Sequence, residues 1–191
     1  MIIAGVILAG GQSSRFGRHK MFEVFQGLPL YHHSLNALRQ NNLCPIIIAT
    51  NDALFPSFPP HSDVTWLIET PSHQGPLFAL HQLFIENPDI EWFFVIASDM
   101  PYMSADFVKL LLQKIDSCYD AVIPQQSARI QPLAALYRRS ALATTTKLVA
   151  NNHRSMKALL AEIRVHYVDF SVNDNVFTNI NYETDWPKGD K

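Results

Sequence analysis

The chain has 191 residues, of which 48% are hydrophobic and 17% charged, with a formal net charge of −2. That length suits one sizeable core, so a single domain over residues 1–191 is expected, and the near-neutral balance lacks the basic face that a nucleic-acid partner needs. Cys44 and Cys118 are the only cysteines, which excludes a disulfide scaffold and a four-cysteine zinc site, and no apolar run approaches the roughly 20 residues that cross a bilayer.

The N-terminus lacks the charged region and cleavage site of a signal peptide, so a cytoplasmic location and no membrane contact are expected. Ile2–Leu8 is a short apolar run and reads as a buried strand. It drops into a loop with Gly10, Gly11 and Gly17, polar Gln12, Ser13 and Ser14, and the cations Arg15, Arg18 and Lys20. Without a Cβ, Gly10 and Gly11 let backbone N–H groups approach an anion closely. Arg15, with its planar fork, and Lys20, as a point charge, can neutralise a polyphosphate. The pattern is not a P-loop, because five residues separate Gly11 from Gly17 and Arg18 follows. The dinucleotide fingerprint G-x-G-x-x-G is also absent, and a plain turn stays open as the other reading.

Met21–Phe25 is a short apolar segment, 26–29 a turn, and Leu30–Gln40 carries leucines at helical spacing. Pro45–Thr50 reads as a second buried strand, followed by Asn51, which by itself reads as a turn former. A proline-rich connection over 53–62 leads to a third strand, Val64–Glu69, then a polar loop, 70–74. Gly75-Pro76-Leu77 opens a helix running to about Glu86, with proline where its missing N–H costs nothing. Trp92–Ala97 reads as a fourth buried strand, ending in Ser98-Asp99-Met100-Pro101. Ser104 is the better N-cap for a helix over 105–115. Asp99 is thereby left at the C-terminal edge of the sheet, where ligands bind in open α/β folds. Strands are expected at 121–124, 132–137 and 164–169, and helices at 138–150 and 155–162. Alternation in Phe177–Asn181 puts Asn179 and Asn181 on one face of an extended segment, and they read equally as a turn pair. The eight histidines form no metal-ligand spacing. Strands alternating with helices indicate an α/β fold with a mostly parallel sheet and helices on both faces.

The segment L-A-G-G-Q-S-S-R-F-G-R-H-K resembles the opening motif of the nucleotidyltransferases. Its double glycine is most similar to that of the MobA-like molybdenum cofactor guanylyltransferases. Gly75-Pro76-Leu77, Ser98-Asp99-Met100-Pro101, Pro132–Tyr137 and Phe177–Asn181 resemble further motifs of that family, and the Pro132–Tyr137 stretch favours GTP over CTP. The resemblance implies a three-layer Rossmann-like nucleotidyltransferase fold. It also implies Mg²⁺-dependent transfer of GMP from GTP to molybdopterin or Mo-molybdopterin, with release of pyrophosphate. It assigns nucleotide binding to Leu8, Ala9, Gly10, Gly11, Lys20, Asn51, Thr70 and Asp99. Lys20, Arg15 and Asp99 would be catalytic, with Asp99 the metal ligand, and Arg154, Asn179 and Asn181 would face the acceptor. Transient contacts with molybdenum cofactor biosynthesis proteins and acceptor molybdoenzymes are expected as well. Read from the residues alone, Arg154 is equally a solvated surface arginine.

Two positions depart from the family pattern. His19 stands where an Asp usually precedes the lysine. Thr70 stands where an Asp usually completes an acidic pair with Glu69, so any charge there must come from Glu69. Guanylyl transfer of this kind needs alignment and charge neutralisation more than covalent participation by the protein. Two alternatives remain: a nucleotidyltransferase acting on a sugar or alditol phosphate, and a catalytically weak nucleotide-binding module.

Overall fold

A computed structural model describes residues 1–11 and 19–180. In chain order the elements are β1 (Ile3–Leu8), β2 (Val24–Phe25), β3 (Leu28–Pro29), α1 (Leu30–Gln40), β4 (Ile46–Thr50), β5 (Val64–Ile68), α2 (Pro76–Glu86), β6 (Trp92–Ala97), α3 (Ala105–Leu112), β7 (Ala121–Gln126), β8 (Arg129–Ile130), β9 (Ala134–Arg138), α4 (Leu142–Ala150), α5 (Met156–Leu160) and β10 (Val165–Asp169). The main sheet runs β10-β7-β9-β6-β1-β4-β5, with β8 paired to β7. β6, β1, β4 and β5 are mutually parallel, and β10 is parallel to β7. The sheet is therefore mostly parallel with an antiparallel insert, as the alternation of strands and helices indicated. Among the described residues, no helix is long and apolar enough to cross a membrane.

The period of two along each strand sorts the core into two layers. Ile7, Ile48, Phe94 and Ile96 face α1 and α3, where Tyr31, Leu35, Leu38, Phe107 and Leu111 close the layer. Val6, Ile47, Ala49, Phe93 and Val95 face the opposite side, covered by Leu77, Leu80 and Phe84 of α2, Leu148 of α4 and Leu159 of α5. Burial of both faces is why the central strands read as unbroken apolar runs rather than alternating ones.

Local chemistry sets the ends of the elements. Ser104 Oγ accepts from Phe107 N at 3.2 Å and starts α3 as expected, although α3 stops at Leu112 rather than 115. The expected helix over 138–150 divides into a 3₁₀ turn, Arg139–Ala141, and α4. The strand expected at 132–137 begins later, at Ala134, because Pro132 has no N–H and Ala134 N turns back to Gln131 O at 3.2 Å. The apolar segment after the glycine loop becomes a 3₁₀ turn, Lys20–Phe22, and the β2–β3 hairpin. The hairpin tip holds Gln26 and Gly27 at φ 47° and 80°. β9 lies between β6 and β7, antiparallel to both, so the 121–138 region is part of the main sheet as well as a hairpin.

Register decides what meets at the sheet's C-terminal edge. Leu8 lies opposite Ala97 on one side and Ala49 on the other, and Ala49 lies opposite Leu67. The segments leaving β1, β4, β5 and β6 therefore begin at one level. The C-terminal stretch closes over the same edge. Phe170 and Phe177 pack on Phe107, with ring centroids 5.4 Å away in each case, Ile180 joins Phe25 and Leu30, and Ile180 N donates to Asp99 O at 3.3 Å.

Candidate active site

The start of the glycine loop is held from both sides. Ser98 N donates to Leu8 O at 3.1 Å, and Ala9 N donates to Ala49 O at 2.7 Å. Thr50 Oγ1 donates to Ala9 O at 3.1 Å, and Asn51 Nδ2 donates to Gly10 O at 3.2 Å. Thr50 and Asn51 are buried, and each such bond contributes about 1 kcal/mol net, more if its loss strands a buried group. Asn51 Oδ1 also accepts from Ala53 N and Leu54 N, both at 3.1 Å. Asn51 is thus the turn former that the sequence allowed, and it also braces Gly10, a role that the sequence did not suggest.

Glu69 is the residue that motif reasoning underweighted. It is 6% exposed, and its Oε1 lies 2.8 Å from where a Cβ on Gly10 would sit. A Cβ at position 10 would therefore have to displace the carboxylate packed against it. Burial raises the Glu69 carboxyl from its ordinary 4.5 to about 7, since an ionised carboxylate loses hydration there. Thr70, the position singled out from the resemblance, is exposed instead. Its carbonyl accepts from Gln82 Nε2 at 3.3 Å. The sequence carried one signal, an acidic residue at the end of the Val64–Glu69 run, but not which way that residue faces.

Lys20 and Asp99 come together across the edge. Lys20 Nζ lies 2.5 Å from Asp99 Oδ2, and each side chain is 16% exposed. The turn that carries Lys20 is closed by Phe22 N and Glu23 N, which donate to His19 O and Lys20 O at 3.1 and 3.0 Å. His19 makes no side-chain capping bond at this turn. Asn179 precedes the residue that binds the Asp99 carbonyl, and its Oδ1 is buried without a hydrogen-bond partner among the described residues. Arg15 and Asn181 lie outside the described residues. Arg154 is exposed and approaches from the α4–α5 side. Its carbonyl and Cβ lie 3.3 and 3.4 Å from where a Cβ on Gly75 would be, and Gly75 has φ 89°, so the Arg154 turn rests on the opening of α2. At Gly11 an added Cβ would meet nothing within 4 Å among the described residues.

The donor set can be tested against a metal. No group of three or more His, Cys, Asp or Glu able to hold a metal ion occurs among the described residues. One partly exposed carboxylate, Asp99, does fit a hard cation whose remaining ligands are phosphate oxygens and water. Perturbed acidity alone does not mark this edge. Asp120, held down to about 2, first by the Arg164 guanidinium and then by Ser140, stands just before β7, where it fastens the start of β10. What distinguishes the C-terminal edge is a glycine loop, a buried carboxylate raised by burial, and an ion pair side by side.

Comparisons with known proteins agree with the fold. The sequence model of the family described as "MobA-like NTP transferase domain" matches residues 5–167. A protein of Geobacillus sp. (strain WCH70) named probable molybdenum cofactor guanylyltransferase is 34% identical over 184 residues, spanning 94% of this chain and 93% of its own. A protein of Bacillus cereus (strain B4264) with the same name is 28% identical, over 98% and 96% of the two chains. Molybdopterin-guanine dinucleotide biosynthesis protein A from Archaeoglobus fulgidus superposes with a TM-score of 0.74 at 21% identity, covering 95% and 94%. The 4-diphosphocytidyl-2C-methyl-D-erythritol synthase of Anaerococcus prevotii superposes with 0.75 at 12% identity, covering 96% and 94%, and shares the fold. The chain therefore belongs to the MobA-like NTP transferase family and is a nucleotidyltransferase.

Proposed function

We propose that this nucleotidyltransferase transfers the guanylyl group of GTP to the terminal phosphate of molybdopterin, releasing pyrophosphate and forming the guanine dinucleotide cofactor. The observation that carries the reading is the convergence of Gly10, Asn51, Glu69 and the Lys20–Asp99 pair at one edge of the sheet. The naming of the Geobacillus and Bacillus relatives as molybdenum cofactor guanylyltransferases supports it.

Glu69 gives the base preference a physical basis. Once ionised, the Glu69 carboxyl only accepts, through two adjacent oxygens, and two donors facing it favour that ionised form. The guanine edge offers two adjacent donors, N1–H and the N2 amino group, whereas cytosine and uracil each place an acceptor within the matching edge. Glu69 takes over the acidic position that Thr70 cannot supply. Gly10, Gly11 and Lys20, with Arg15, bind the triphosphate. Asp99 would hold Mg²⁺, which would supply neutralisation of charge on the phosphoryl oxygens. In the nucleotide complex the Lys20 amine leaves its ion pair for the phosphate oxygens and stabilises the charge that builds on the departing pyrophosphate. The acceptor phosphate is already a nucleophile near neutral pH, so the protein's task is alignment. Arg154, Asn179 and Asn181 are assigned to the acceptor side.

The test is pyrophosphate release by the purified protein with Mg²⁺, comparing GTP, CTP and UTP, with and without molybdopterin. Release that needs both GTP and molybdopterin is expected. Release that instead requires a sugar or alditol phosphate, or tight GTP binding with no release under any condition, overturns the proposal.

A further inference from the structure

We propose that His32, Tyr31 and His61 form an acid-sensitive clasp that holds the 53–63 connection on α1 and so keeps Asn51 and the Lys20 turn in place for nucleotide binding. The inference rests on the reading of this edge as the nucleotide site. Its geometry is that of three side chains meeting at one oxygen. Tyr31 is fully buried, and its Oη lies 3.0 Å from His61 Nε2 and 3.0 Å from His32 Nε2. The His32 and His61 rings are 5.4 Å apart.

A phenol has one proton to give. In the neutral chain, one imidazole accepts that proton and the other donates its own N–H to the phenol oxygen. One more proton turns the accepting nitrogen into a donor. The phenol proton of buried Tyr31 then has no acceptor in the clasp, and a positive charge sits there. The charged and titratable groups facing it are Arg39 and His33 from α1 and Asp63 from the connection. Trp66 of β5 faces His61 with ring centroids 6.4 Å apart. Asp63 offers little compensation, because Arg39 Nε and Nη2 already hold its two oxygens at 2.7 Å each. Burial lowers both histidines below their ordinary value, helped at His32 by His61, Arg39 and His33 and at His61 by Arg39, with Asp63 opposing the shift at His61. A lowered value in the closed form means that the open form binds protons more readily, so acid favours opening.

The clasp reaches the site by two routes. The connection begins at Asn51, whose Oδ1 caps it and whose amide holds Gly10. Phe58 of the connection also packs on Phe22 at 4.8 Å and on Tyr31 at 5.3 Å, and Phe22 belongs to the turn that carries Lys20. The motifs of the glycine loop do not involve any of these aromatic or imidazole side chains.

The experiment measures hydrogen exchange of residues 53–63, corrected for intrinsic rates, at about pH 7.5 and about pH 5.5. It compares the native protein with the His32→Gln/His61→Gln double variant, in which each amide can donate or accept but not titrate. GTP affinity is measured in parallel. The native protein is expected to lose roughly tenfold in protection on acidification while the double variant loses none, and its GTP affinity should fall with the protection. Protection that is unchanged by acid, or lost equally in both proteins, overturns the clasp. Lost protection with GTP affinity changing equally in both proteins overturns the link to the site. If GTP binds neither protein at either pH, the nucleotide reading fails while the exchange result still decides the clasp.

Discussion

Replacing Glu69 by Gln should stabilise this protein at alkaline pH and weaken its hold on GTP. The carboxyl is raised from 4.5 to about 7 by burial. Between those values the folded protein keeps a proton that the unfolded chain has released, so stability falls as pH rises through this window. Above about pH 7 the full cost is present. At about 1.4 kcal/mol per pKa unit, the ceiling is about 3.4 kcal/mol. Local relaxation and water penetration around the ionised carboxylate reduce this to about 1.5 kcal/mol. Gln keeps the shape against Gly10 and removes the charge. The variant should therefore match the native protein near pH 4 and exceed its Tm by roughly 3–6 °C near pH 8 for a chain of this size. Thermal unfolding by calorimetry at the two pH values, without nucleotide, measures the difference. A Tm gap that does not grow with pH, or a variant less stable than the native protein near pH 8, would refute the argument that burial of this charge raises its pKa.

Asp99→Asn should leave the fold intact but lower pyrophosphate release by about a hundredfold or more. A near-normal rate with unaltered Mg²⁺ dependence removes Asp99 from the metal role. Gly10→Ala places a Cβ 2.8 Å from Glu69 Oε1, and displacing that buried carboxylate should cost about 1–3 kcal/mol. The urea midpoint reads the loss, and an unchanged midpoint would show that Glu69 can yield without penalty.

The parts of the fold that depend on neighbours in the chain were legible. Leu30–Gln40 and Trp92–Ala97 have the observed bounds, because helical spacing and unbroken apolar runs are local properties. Ser104 could be read as a cap for the same reason, since its partner is three residues away. The position of Asp99 just after β6 was legible too, because a strand that ends fixes where the next side chain emerges. What residue order could not supply was which distant groups meet. β9 lies between β6 and β7, and that order comes from strand pairing across the whole sheet.

The same limit governs the site. Sequence by itself determined that a glycine loop, Asn51, the Glu69–Thr70 step and Asp99 each follow a strand, and hence lie at one end of an α/β sheet. Only the tertiary structure decided that Glu69 turns inward against Gly10 while Thr70 faces out, that Lys20 reaches Asp99, and that His32 and His61 share one buried phenol. Burial, and with it the rise of the Glu69 carboxyl toward neutrality, is a property of the space that other segments fill around a side chain.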